Sequence, residues 1–138
     1  MLTVVLVALG GAVGASLRFV VDGEVRRLLG DRWPGGTVAV NVVGALLLGL
    51  VARYVAAVGD VGAAGVGGGS GLESGSDTVW VMALLGTGVC GALTTFSTFS
   101  YDTWLLLTRR AWVGVLVYVV GTLVAGIGAF WLGWALAG

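Results

Sequence analysis

The sequence predicts an all-α integral membrane protein of four transmembrane helices, the third of them broken near Gly91–Thr94. Three observations predict this. The chain is 58% hydrophobic, with a mean hydropathy of +1.05. Charged residues make up only 10% of it, against roughly 25% in a soluble domain. Four apolar runs are long enough to cross a bilayer, which takes about 20 residues each.

The first run is Leu2–Val21. It is expected to be a retained helix rather than a cleaved signal, because no positive region precedes Leu2 and Arg18 lies within the apolar stretch. The linker after it, Asp22–Gly36, holds Arg26 and Arg27, which suit the membrane surface, Trp33, which suits an interfacial belt, and the only proline, Pro34. The second run is Thr37–Val58. Gly59–Asp77 follows, with 8 glycines in 19 residues, and is expected to be a flexible linker. The third run is Thr78–Ser100, and the basic pair Arg109 and Arg110 precedes the fourth, Trp112–Ala137. The whole chain, 1–138, makes one membrane domain lodged in the plasma membrane.

Glycines recur in every run: Gly10, Gly11 and Gly14, then Gly44 and Gly49, then Gly86, Gly88 and Gly91, then Gly114, Gly121, Gly126 and Gly128. Apolar burial does not drive helices together in lipid, so close backbone approach must contribute. Chemistry for catalysis is lacking. There is no histidine, Cys90 is alone, and no nucleophile–base pair suggests itself, so an enzyme is not expected, nor is a nucleic-acid partner.

Polar groups inside apolar runs carry the functional reading. Asn41 lies four residues into the second run, and an amide there is costly unless paired or wetted. An interhelical hydrogen bond and a pore lining both account for it. Arg18 either snorkels, pairs with a carboxylate, or draws anions to a vestibule. Thr94–Ser100 holds five hydroxyls and two phenylalanines. One reading is a bent, packed helix whose hydroxyls bond carbonyls one turn back. The other is a helix broken near Gly91–Thr94, whose freed backbone carbonyls suit a small hard cation. Acids are expected only at or near the run ends, as Asp22, Asp77 and Asp102, which favours passive conduction over proton-coupled pumping.

These residues resemble the fluoride channels of the Fluc/CrcB family along the whole chain. The stretches that carry the resemblance are GGAVGASLRF (10–19), GTVAVNVVGALLLG (36–49), GVCGALTTFSTFS (88–100) and the weaker GTLVAG (121–126), in that order. The resemblance implies an antiparallel dimer with two fluoride pathways and one central sodium ion, structural and not transported. It implies that Gly91 and Thr94 give backbone carbonyls to sodium. It also implies that Asn41, Phe96 and Phe99 line the pore and that Ser97 and Thr98 lie along the track, with Tyr118 and Thr122 continuing it on the last helix. Arg18 and Asp102 are then vestibule or structural residues. Asp102 stands where the family usually has glutamate, and the 59–77 linker is long for the family. The physics is coherent: amides, hydroxyls and the positive edges of phenylalanine rings can replace the water around fluoride.

Two other classes compete. A small proton-coupled multidrug transporter would need an acid inside helix one, and Leu2–Val21 has none. A structural subunit without transport would not need stacked intramembrane hydroxyls.

Charge distribution bears on assembly. Loops one and three, on one side, carry Arg26, Arg27, Arg32, Arg109 and Arg110, with Arg18 near them; the other side carries only Arg53. That bias predicts loops one and three in the cytoplasm and both termini outside. An antiparallel dimer then forms either with itself, against this bias, or with an oppositely oriented paralogue, which the bias favours.

Overall fold

The structure, a computed structural model, describes residues 1–30, 33–64 and 78–138. Every regular element among these residues is helical. Helix α1 is Leu2–Leu29 and α2 is Gly35–Ala64. The third span comprises α3, residues 78–93, and α4, Phe96–Thr108. Helix α5 is Trp112–Leu136. Four stretches are long and apolar enough to cross a membrane: Leu2–Leu29, Gly35–Val58, Thr78–Thr108 and Trp112–Leu136.

Three boundaries differ from the sequence windows. Helix α1 continues past Val21 because its charged end is satisfied locally: Arg26 pairs with Asp22 at 2.9 Å and Arg27 with Glu24 at 3.7 Å. It stops at Gly30, whose φ of 77° suits glycine and whose N–H bonds the Arg26 carbonyl. The glycine-rich stretch expected to be linker from Gly59 begins as helix, since α2 runs to Ala64. The remainder of that linker, 65–77, lies outside the described residues, as do Asp31 and Arg32. The third span ends at Thr108 rather than Ser100, so Asp102 is not at a helix end. It lies inside α4 and is buried, which corrects the expectation of an acid-free interior.

The interior is unlike that of a soluble protein. Thr37, Thr95, Asp102 and Thr122 are buried, while Phe19, Leu28 and Val113 are about as exposed as side chains can be in a helix, at 82%, 79% and 77%. Such an outside matches hydrocarbon, and the few polar groups turn inward.

Two seams hold the bundle, and both run through glycine. Gly10 lies against the Leu84 carbonyl, and Gly14 against that of Val89, closing α1 on α3. Gly49 lies against the Phe130 carbonyl and Gly133 against that of Leu46, closing α2 on α5. A Cβ at any of the four would collide with backbone, which cannot yield as a side-chain tip can. By contrast, a Cβ at Gly11, Gly121, Gly126 or Gly128 would meet no atom of another element within 4 Å, which leaves open faces on α1 and α5.

Within α3, Met82–Cys90 is wound as a π-helix, a feature the sequence did not announce. The Gly91 N–H reaches back to the carbonyls of both Gly86 and Gly88 where this widened coil ends. Widened turns of this kind are frequent beside functional sites. Here one leads directly into the break.

Candidate functional site

The helix stops at Thr94 and Thr95, both extended, with ψ of 154° and 121°. The cause is competition for backbone groups. In an unbroken helix the Thr95 N–H would close on the Gly91 carbonyl. Instead it donates to Asn41 Oδ1 at 2.8 Å, while Asn41 Nδ2 donates to the Thr95 carbonyl at 3.4 Å. One amide side chain from α2 thus serves both polar groups of one residue. The next diversion follows at once. The Thr98 N–H, which would close on the Thr94 carbonyl, donates to Thr95 Oγ1 at 3.3 Å, making Thr95 the N-cap of α4.

Both diversions free carbonyls, and the two affected belong to Gly91 and Thr94. The Gly91 carbonyl retains one long bond from Thr94 Oγ1, 3.4 Å. Among the described residues no hydrogen bond closes on the Thr94 carbonyl. Thr94 Oγ1 also donates to the Cys90 carbonyl at 3.0 Å, fixing the side chain against its own turn. Gly44 of α2 lies under the Thr94 methyl, where any Cβ would overlap it.

Past the break, Phe96 and Phe99 flank a groove of about 390 Å³ lined also by Asn41, Thr94, Thr95, Thr122, Leu123, Gly126 and Ile127. Phe96 is 81% exposed. Its ring centroid lies 6.2 Å from that of Phe99, at an interplanar angle of 33°. Phe99 stacks in turn on Tyr118, at 5.2 Å and 27°. Thr122 lines the same groove, with its hydroxyl donating to the Tyr118 carbonyl at 2.6 Å.

Not every residue assigned to the fluoride track is in this groove. Tyr118 is buried behind Phe99 and turns its hydroxyl to Asp102 Oδ2, 3.3 Å away. Thr37 Oγ1 donates to the same carboxylate oxygen at 2.6 Å, giving a buried Thr37–Asp102–Tyr118 cluster. Thr98 faces a separate cavity of about 110 Å³, shared with Arg18, Asp22, Thr37, Val40 and Thr95. Ser97 is exposed, in contact with Thr95 Oγ1 at 3.2 Å, and lines neither space. Arg18 forms no ion pair among the described residues and lines the small cavity. Asp22 Oδ1 is buried without a hydrogen-bond partner, pressed on Gly36, where a Cβ would overlap it.

The roles of three residues of this site are not given by the sequence reading. Thr95 was recognisable in principle, since a threonine three residues before Thr98 in a helix-opening position fits a cap. Thr37 and Asp22 gave no local signal, because their role depends on which helix faces them.

A bundle of four membrane-spanning stretches, with a broken span and a groove lined by hydroxyl, amide and phenyl groups beside the break, defines the class: a multi-pass membrane protein with polar groups turned inward. The family described as CrcB-like protein, Camphor Resistance (CrcB), matches residues 5–134, and the chain belongs to it. Its relatives include a protein of Caulobacter sp. named fluoride-specific ion channel FluC, 35% identical over 99% of this chain and 95% of that one. One of Frankia casuarinae, named fluoride-specific ion channel FluC 1, is 42% identical over 96% of this chain and 93% of its own. One of Rhodococcus jostii, named fluoride-specific ion channel FluC 2, is 40% identical over 98% of each.

Proposed function

We propose that this protein is a fluoride-selective channel through which cytoplasmic fluoride leaves passively, assembled as an antiparallel dimer around a structural sodium ion. The names of its relatives support the anion. The observation that carries the reading is the single groove in which Asn41, Phe96, Phe99 and Thr122 meet beside the helix break. A bare fluoride needs donors in place of its water, and ring edges are electropositive. Asn41 Nδ2 keeps a second N–H beyond the one given to the Thr95 carbonyl, and the exposed ring of Phe96 is free to present its edge.

The donor set at the break fits a small hard cation. Gly91 and Thr94 offer neutral backbone oxygens, the ligand type such ions take. Two per chain are too few for one ion, and a second copy would double them. Sodium there would supply fixed positive potential beside an anion path. Because the ligands are backbone atoms, Thr94→Ala should weaken sodium-dependent stabilisation less than Gly91→Val. Equal loss of the sodium-dependent rise in Tm in the two variants would make the Thr94 hydroxyl the ligand instead.

The open faces of α5 and the exposed Phe96 suit a partner. The arginine bias favours an oppositely oriented paralogue over self-pairing. A copy of this chain with lysines added at both termini and in residues 59–77 should insert the other way and stand in for it. Liposomes carrying the co-expressed pair should release fluoride to an electrode, and the lone chain should release far less. Silence from a folded pair would refute the fluoride reading. Full release from the lone chain, with termini mapped to both sides, would refute only the paralogue.

Asp102 gives one foothold to a proton-coupled transporter, since a buried carboxylate was not expected. That reading gains if a proton gradient drives fluoride uphill.

A further inference from the structure

A cavity of about 290 Å³ lies where α1 and α4 end, apart from the Asn41–Phe96–Phe99 groove, and two arginines from different helices line it, Arg26 and Arg109. Arg26 spends its Nε on Asp22 Oδ2 at 2.9 Å, which leaves its two terminal nitrogens to donate elsewhere. Arg109, the residue that caps α4, is in no ion pair among the described residues. Among the described residues the acid lining the space is Asp102, and its Oδ2 already accepts from Thr37 and Tyr118. Arg26 is offset by Asp22, so Arg109 is the cation at this mouth with no acid paired to it among the described residues.

Size and surroundings narrow the occupant. A water occupies about 30 Å³ of liquid, so the space holds far more than one small anion. Guanidinium forks match the spaced oxygens of phosphate. Trp33 and Leu105 complete the wall, and nearby Leu28, Leu29 and Trp112 are 79%, 66% and 68% exposed. Arginines at the end of a span, next to tryptophan and bare apolar surface, are the setting in which acidic headgroups bind. We infer that Arg26 and Arg109 hold a phosphate group in this cavity, carried by an acidic lipid headgroup or free in solution. The inference does not depend on fluoride conduction.

The test is thermal unfolding of the purified full chain in detergent, titrated separately with short-chain phosphatidylglycerol, short-chain phosphatidylcholine and sodium phosphate. Phosphatidylglycerol should raise Tm at lower concentration than phosphatidylcholine. Arg109→Gln should weaken that response about tenfold, the worth of one charge-assisted hydrogen bond. Arg26→Gln should act similarly, but it also releases Asp22, so Arg109→Gln is the decisive variant. Arg53→Gln should leave the response unchanged, since Arg53 sits over the Trp134 ring, 5.7 Å from its centroid, remote from this cavity. A rise with sodium phosphate alone, lost in Arg109→Gln, supports the same pair and assigns it free phosphate. Equal responses to all three titrants, or a response to phosphatidylglycerol that survives in Arg109→Gln, would overturn the inference.

Discussion

The third span and α5 both cross the bundle, and both carry threonines that bond their own helix, yet only one of them breaks. In α5, Thr122 Oγ1 donates to the Tyr118 carbonyl and the helix runs on. In the third span Thr94 Oγ1 donates to the Cys90 carbonyl in the same way, as do Thr103 to Phe99 and Thr108 to Leu105 further along. Back-bonding hydroxyls therefore do not break this backbone. The difference is Asn41, which reaches across from α2 and takes both backbone groups of Thr95, and Thr95 Oγ1, which then takes the Thr98 N–H. An amide on a neighbouring helix outcompetes the helix's own carbonyl, and what it leaves behind are the Gly91 oxygen, with one long bond from Thr94 Oγ1, and the Thr94 oxygen, with no hydrogen bond among the described residues.

Breaking that capture should have the largest effect. Asn41→Leu strands the Thr95 N–H, at a cost of about 1–3 kcal/mol when buried and unpaired, and removes a second donor from the Thr95 carbonyl. Fluoride release should fall to background, and thermal unfolding should shift down strongly. A flux close to wild type would mean that the break does not depend on Asn41.

Next come the rings. Phe96→Ile and Phe99→Ile keep bulk and remove the electropositive edge, so flux should drop about tenfold. Phe99→Ile should lower Tm more than Phe96→Ile, because it also loses the stack on Tyr118. Wild-type flux in both variants would remove the rings from the pathway.

A smaller effect is expected at the cap. Thr95→Ala removes the acceptor for the Thr98 N–H and should cost about 1 kcal/mol in unfolding free energy, with Thr95→Ser restoring most of it. The smallest belongs to α5. Thr122→Val loses a bond made within its own helix and should cost about 1 kcal/mol or less, with helix content by circular dichroism unchanged. A larger loss at Thr122 than at Asn41 would invert the comparison.

The legible part of the molecule is the part governed by composition and by short-range spacing. Apolar length located all four spans, and the Thr94–Ser100 hydroxyls beside Gly91 marked the break to within a residue. The ends were less legible because one i,i+4 and one i,i+3 ion pair carried α1 past its apolar limit and α4 continued through Asp102. Placing Asp102 at the edge was an error of the same kind: hydropathy sees a charge, whereas the fold supplies Thr37 and Tyr118 to accommodate it. Tyr118 and Thr122 illustrate the rest. They are one turn apart on α5, yet one hydroxyl faces the Asp102 cluster and the other residue lines the groove. Which face meets which helix is a long-range fact, and spacing along one helix does not contain it.

The most direct test is fluoride release, with chloride measured in parallel, from liposomes carrying this chain paired with its charge-reversed copy, set against the same pair bearing Asn41→Leu in both copies. The account predicts fluoride release without matching chloride from the first and background from the second. Undiminished fluoride release from the Asn41→Leu pair, or equal release of chloride by the unmutated one, would contradict it.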